Sequence, residues 1–212
     1  RHTELRWDWS SDVCSSDLVT PVDIAFCAGT PFLARLYPGL LRPKNPVLGT
    51  ELAGVVEAVG SQVSQFEVGD AVFAAPASGF GAHAEYICLP AAGAVIAKPA
   101  NLTLEQAATI CNGALTALPF LRDTAQLTAV QRLLVIGASG SIGTAAVQLG
   151  KHIGAHVTGV CSTSNLKLVA SLGADRVIDY TQQDFTKSGA LYNVIFDTVG
   201  KCRFPRAKAS LR

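Results

Sequence analysis

A chain of 212 residues can bury one large core or two ordinary ones. Its residues are 49% hydrophobic and only 16% charged, against roughly 25% charged in an average soluble protein, which favours a compact α/β interior over disorder. A formal charge of +1, with no basic run, gives no reason to expect nucleic acid or an anionic membrane surface as partner.

The first eighteen residues, RHTELRWDWSSDVCSSDL, do not resemble the remainder in composition. Both tryptophans, Trp7 and Trp9, fall here, and the chain contains no methionine. Asp8–Leu18 matches the conceptual translation of a short-read sequencing adapter. Residues 1–18 are therefore expected to be a non-native leader outside the fold, with a natural Ser/Asp-rich tail as the bland alternative. These residues are charged and carry no apolar signal-peptide core. The other end, CRFPRAKASLR, stops without a finished element, so the whole is expected to be a gene fragment.

From Val19 to about Pro99 short β-type runs alternate with Gly, Pro and Asp. GVVEAVGSQV, DAVFAAP, HAEYICLP and GAVIAKP each read as a strand, and the only helical hint is a turn around Phe32–Tyr37. At Thr103 the pattern changes. Thr103-Leu104-Glu105-Gln106 fits a capping box, followed by a helical run to Leu121, interrupted near 111–113 and at Pro119. Strands and helices then alternate: RLLVIGA, TAAVQLGKHIG, HVTGV, SNLKLVASLG, RVIDY and YNVIFDTVG. Apolar strands joined through helices imply a parallel sheet covered on both faces. The expected domains are residues 19–108, β-rich, and 109–212, α/β. Six cysteines, at 14, 27, 88, 111, 161 and 202, form neither a CxxC pair nor a Cys/His cluster. They read as buried thiols of a reducing, cytoplasmic compartment.

The stretch LLVIGASGSIGTAAVQLG (133–150) carries no charge over a length near that of a bilayer span. Its middle, GASGSIGT, is glycine and hydroxyl, which sits badly in hydrocarbon, so strand, tight turn and helix is the better parse. The window Ala138-Ser139-Gly140-Ser141-Ile142-Gly143 follows the dinucleotide pattern with Ala in place of the first glycine and Gly137 just ahead. Gly140 would let backbone approach a pyrophosphate, and Gly143 would let the helix sit close on the sheet. An ordinary tight strand–helix turn is the plain alternative. About twenty residues on, GVCSTSNLK offers no Asp or Glu before Asp175 to bond ribose hydroxyls. Ser162, Thr163, Asn165 and Lys167 could instead bond a 2′-phosphate, which favours NADPH, and Ser164 or Thr163 could equally cap the next helix.

Together, PVDI (21–24), LGTELAGVVEAVG (48–60), VGDAV (68–72), GAHAEY (81–86), ALTAL (114–118), the glycine turn and FDTVG (196–200) carry a resemblance. From Val19 to about Lys208 the chain resembles the medium-chain dehydrogenase/reductase superfamily, in its zinc-free quinone-oxidoreductase (zeta-crystallin-like) branch. The resemblance implies an α/β fold: a GroES-like β domain followed by a doubly wound parallel-sheet Rossmann domain, both incomplete, with a cleft between them. It implies that Asn112, Thr116, Val199 and Gly200 line the nicotinamide end, that Gly140, Ser141, Ile142 and Gly143 line the pyrophosphate, and that the parent is a homodimer.

Zinc-dependent relatives carry Cys and His where this chain has Thr20 and Thr50, and a neutral hydroxyl is a poor match for Zn²⁺. Cys111 lies near the place of a third ligand, but one thiol does not hold a catalytic zinc, so no metal is expected. Hydride addition to a quinone or an α,β-unsaturated carbonyl is then easier than alcohol oxidation. The catalytic residues stay open: Asn112, Thr116 and Tyr86 are the candidates, with Tyr37 named beside them. The alternatives are a broad NAD(P)-dependent alcohol dehydrogenase, a non-catalytic nucleotide-binding relative, and a truncated piece without activity of its own.

Overall fold

The structure is a computed structural model that describes residues 9–29, 46–76 and 80–212, with backbone alone for 9–17. It divides into two units, Arg1–Cys111 and Asn112–Arg212, close to the 108/109 boundary read from the sequence.

The first unit is built on a five-stranded sheet ordered β4-β1-β2-β3-β5, all pairs antiparallel. The strands are β1 (Trp9–Asp17), β2 (Leu52–Ala58), β3 (Ala71–Ala74), β4 (Tyr86–Pro90) and β5 (Val95–Ala97). Four of these are the β-type runs of the sequence. Leu52, Val56, Val72, Ala74 and Leu89 form its buried apolar face. The leader set aside as foreign supplies the fifth, lying between β4 and β2. A ladder is made of backbone groups, so an extended segment can complete it whatever side chains it carries.

A helix stands where the sequence offered none. Helix α1 (Pro21–Ala28) starts at PVDI, and Thr20 and Asp23 cap it reciprocally. The Asp23 carboxylate accepts from the Thr20 amide at 2.8 Å, and the Asp23 amide donates back to Thr20 Oγ1 at 3.4 Å. Proline at the first helical position, read as a turn, is in fact a helix-start signal. The Phe32–Tyr37 turn lies outside the described residues.

The Thr103 capping box forms as expected, with Gln106 N donating to Thr103 Oγ1 at 3.2 Å and Thr103 N to Gln106 Oε1 at 3.0 Å. It opens α2 (Leu104–Ala108), which gives way at Thr109 to α3 (Ile110–Pro119). The break therefore precedes the expected 111–113. Pro119 does not end the run; one π-helical turn, Phe120–Thr124, follows it.

The second unit is a four-stranded parallel sheet ordered β8-β7-β6-β9. Its strands are β6 (Arg132–Ile136), β7 (His156–Cys161), β8 (Arg176–Asp179) and β9 (Val194–Asp197). Helix α4 (Ser141–Ile153) joins β6 to β7, and a 3₁₀ turn (Thr163–Asn165) leads into α5 (Leu166–Ser171) before β8. Leu133, Val135, Val147, Val157 and Val169 are fully buried in one core of this unit. Leu134, Val160, Ile178 and Tyr192 make a second. Glycines let the layers close up. A Cβ on Gly159 of β7 would lie 2.5 Å from Val169 of α5, so only hydrogen fits.

Candidate functional site

In the order β8-β7-β6-β9 the strands after β6 are added first on one side (β7, β8) and then on the other (β9), and in open parallel sheets ligands bind outside the strand ends at such a switch point. The loop after β6 is the glycine turn, and the loop after β9 is Thr198–Gly200. They are stitched together: Thr198 Oγ1 donates to the Ile136 carbonyl at 2.8 Å. Gly137 has φ +79°, and a Cβ there would meet Val199 Cγ2 at 2.4 Å and Thr198 Oγ1 at 2.6 Å. No other residue satisfies both the left-handed backbone and the contact.

Gly143 is as constrained. A Cβ would lie 2.1 Å from the Gly137 carbonyl oxygen, so the close approach at Gly143 is of α4 to the turn itself, where the sequence reading had the helix close on the sheet. Gly140 differs: only the Gly137 oxygen, at 3.5 Å, lies near its missing side chain. Exposed space therefore stands before Gly140, the N-cap of α4, beside the amides of the first helical turn, Ser141, Ile142 and Gly143. Those amides have no intrahelical acceptor and sit at the positive end of the macrodipole, a setting that suits a phosphate.

Asn112 and Thr116 lie one turn apart on α3, with Thr116 Oγ1 donating to Asn112 Oδ1 at 3.4 Å. Gly113 between them holds α3 against the start of α4, because a Cβ there would be 2.6 Å from the Ser141 oxygen. The structure thus gathers Asn112, Thr116, Gly140, Ser141, Ile142, Gly143, Val199 and Gly200 around one strand-end region of the second unit. Val199 and Gly200 are exposed, and their amides donate to Asp197 Oδ1 at 3.0 Å each, while Cys202 N donates to Oδ2 at 2.7 Å. Sequence reasoning quoted FDTVG without singling out this carboxylate, which shapes the loop. The Asp-x-x-Gly spacing was the available signal.

At the tip of β7, Asn165 Nδ2 reaches both Ser139 Oγ at 3.2 Å and Ser162 Oγ at 3.1 Å, tying this loop to the glycine turn. Lys167 is exposed on α5. Thr163 is not free, as the phosphate reading required. Its hydroxyl donates to Asp179 Oδ2 at 2.6 Å, and that bond, with those from Thr181, holds the Asp179 carboxyl below the usual aspartate value. Asp179, buried at the end of β8, was absent from the sequence-derived candidates.

In the first unit, Tyr86 is 55% exposed on β4, and Tyr37 lies outside the described residues. The places of the zinc ligands are occupied otherwise. Thr20 caps α1, its hydroxyl donating to Asp23 Oδ2 at 2.7 Å. Asp23 is buried and accepts from Gly49 N at 3.0 Å. Cys111 is buried, its Sγ 3.4 Å from the Ala74 carbonyl, and burial together with nearby Glu51 pushes its thiol up to about 12. Among the described residues no group of three or more His, Cys, Asp or Glu could hold a metal ion. The donor set does not fit a catalytic zinc.

Two family models match the chain: an alcohol dehydrogenase GroES-like domain over residues 11–100 and a zinc-binding dehydrogenase over 141–212. Among curated proteins, the mitochondrial NAD(P)H oxidoreductase RTN4IP1 of Mus musculus is 41% identical over 86% of this chain and 50% of its own length. The chloroplastic NADPH-dependent alkenal/one oxidoreductase of Arabidopsis thaliana is 36% identical over 76% of this chain and 43% of its own length. The chain spans about half the length of such relatives. Among solved structures, the quinone oxidoreductase of Coxiella burnetii superposes with a TM-score of 0.82 at 27% identity, over 96% of this chain and 64% of the other. The Escherichia coli quinone oxidoreductase complexed with NADPH gives a TM-score of 0.78 at 26% identity, over 96% and 62%.

Proposed function

The chain belongs to the medium-chain dehydrogenase/reductase superfamily, in its zinc-free quinone-oxidoreductase-like branch, with a GroES-like unit followed by a Rossmann-like one, and on that premise we propose that it serves an NADPH-dependent reductase of quinones or α,β-unsaturated carbonyls. The observation that carries the coenzyme is the open space before Gly140 at a helix start, beside two glycines that are packed shut. Relatives named as alkenal/one and quinone oxidoreductases support the acceptor class.

When bound, the coenzyme supplies the hydride, and an electron-poor double bond accepts it without a Lewis acid. The protein's part is placement. The first amides of α4 hold the pyrophosphate, and the Asp197-braced loop at Val199–Gly200, with Asn112 and Thr116, flanks the nicotinamide. Ser162 and Lys167 would bond the adenosine end. Asn112, Thr116 and Tyr86 are the candidates to supply the proton that completes the product. Of the five described cysteines, all free thiols, only Cys111 and Cys161 are buried, and Cys27 and Cys88 are exposed against the expectation of buried thiols; unpaired thiols suit a reducing compartment such as the cytoplasm. No helix among the described residues is long and apolar enough to cross a membrane. By likeness to its branch, the parent protein is a homodimer.

The test is NADPH oxidation with a panel of quinones and enones, beside NADP⁺ reduction with simple alcohols, each before and after chelator. Turnover of quinones or enones that chelator leaves intact is expected. Activity confined to alcohols, or lost with stoichiometric zinc, would contradict the proposal.

A further inference from the structure

The tips of β7 and β8 carry a bonding pattern that bears on which coenzyme fits. Thr163 Oγ1 donates to Asp179 Oδ2 at 2.6 Å, and Thr181 Oγ1 donates to Asp179 Oδ1 at 2.7 Å. A hydroxyl has one proton, and an ionised carboxylate only accepts. Both threonine protons are therefore committed to Asp179. The 3.0 Å contact between the two threonine oxygens has no proton left to fill it. Toward an incoming group, Thr163 is consequently an acceptor only. It can receive a bond from a ribose hydroxyl, but it cannot donate one to a phosphate, which itself only accepts at neutral pH. Ser162 differs: its oxygen pairs with Ser164 Oγ at 3.2 Å with either as donor, and when Ser164 donates, Ser162 has a proton to offer.

We infer that Asp179 is a specificity-determining residue, restraining the preference for the 2′-phosphorylated coenzyme by holding the Thr163 proton and by setting a negative charge beside the 2′-position. The inference rests on the reading that a nicotinamide coenzyme lies over the glycine turn. Usually the discriminating carboxylate stands at the end of the second strand of the fold, here β7, where this chain has Ser162. Asp179 delivers comparable chemistry from the neighbouring strand, through Thr163. Exchange of the carboxylate for an amide removes the charge. It also lets the amide nitrogen donate to Thr163, releasing the hydroxyl proton toward a phosphate.

The experiment compares wild type and Asp179→Asn in fluorescence titrations with NADPH and with NADH, alongside thermal melting of each protein. The NADPH-to-NADH affinity ratio is expected to rise about three- to tenfold in the variant, as for one unit charge removed a few ångströms from a phosphate in a largely aqueous setting. The gain should shrink as salt is added. A ratio that stays put or falls overturns the inference, as does an equal loss of both coenzymes with a lowered melting temperature. Should the Asn variant not fold, Asp179→Ser, smaller and also neutral, is read against the same ratio. Wild-type protein that binds NADPH no better than NADH contradicts the NADPH reading alone, since the variant's ratio still reports on Asp179. Wild type that binds neither overturns both.

Discussion

At the scale of single residues, the first unit turns on Asp23, a buried carboxylate that bonds Thr20 locally and Gly49 across the fold. Burial of Asp23 raises its pKa, but hydrogen bonds from Thr20 and from the Gly49 amide outweigh that and hold it below the ordinary value of 3.8. The folded value is thus the depressed one. The stability Asp23 contributes is fully present above its unfolded pKa and is lost as pH falls through the folded pKa. Urea unfolding should show this. Asp23→Asn is expected to lower stability at neutral pH by about 1–3 kcal/mol, because a charged acceptor is lost from a buried amide. The gap between variant and wild type should narrow as pH falls below 3.8, where the unfolded carboxyl takes up its proton, and close as the native carboxyl follows at its lower pKa. A gap that holds constant down to acid unfolding would show that the charge contributes nothing. The long partner at Gly49 could not be read, since nothing local links positions twenty-six apart.

Among elements, the parallel sheet and its glycine turn were legible because their signals are local: apolar runs, a Gly-rich turn, a capping box. Helix α1 was misread because Pro21 was taken as punctuation, although Thr20 and Asp23 stand at capping-box spacing. The π turn at Phe120–Thr124 has no sequence signature, and it follows a proline that ordinarily ends a helix. At the site, Gly140 and Gly143 were separable in advance by their places in the motif. The commitment of Thr163 was not, because its acceptor comes from another strand. One connection carries avoidable strain. Val130, in the loop before β6, is β-branched, 78% exposed, and has φ +63°. A left-handed backbone costs such a residue about 1–2 kcal/mol, partly offset in glycine by a floppier unfolded chain. Val130→Gly is therefore expected to raise thermal stability by about 0.5–1 kcal/mol. A lowered melting temperature would mean that the side chain packs in a way its exposure does not suggest.

For the whole molecule, two separately cored units and one gathered strand-end region make the claim simple: a phosphorylated coenzyme sits where β6 hands over to α4. Anything that binds the folded state alone stabilises and quiets what it touches, so the claim has a spatial signature. Amide hydrogen exchange, with and without excess NADPH, reads it segment by segment and needs no turnover. The account expects slowed exchange at 137–143, 162–165 and 198–200, with β2, β3 and β5 in the first unit little changed. Unchanged exchange across all three loops, or protection that falls only elsewhere, would contradict it.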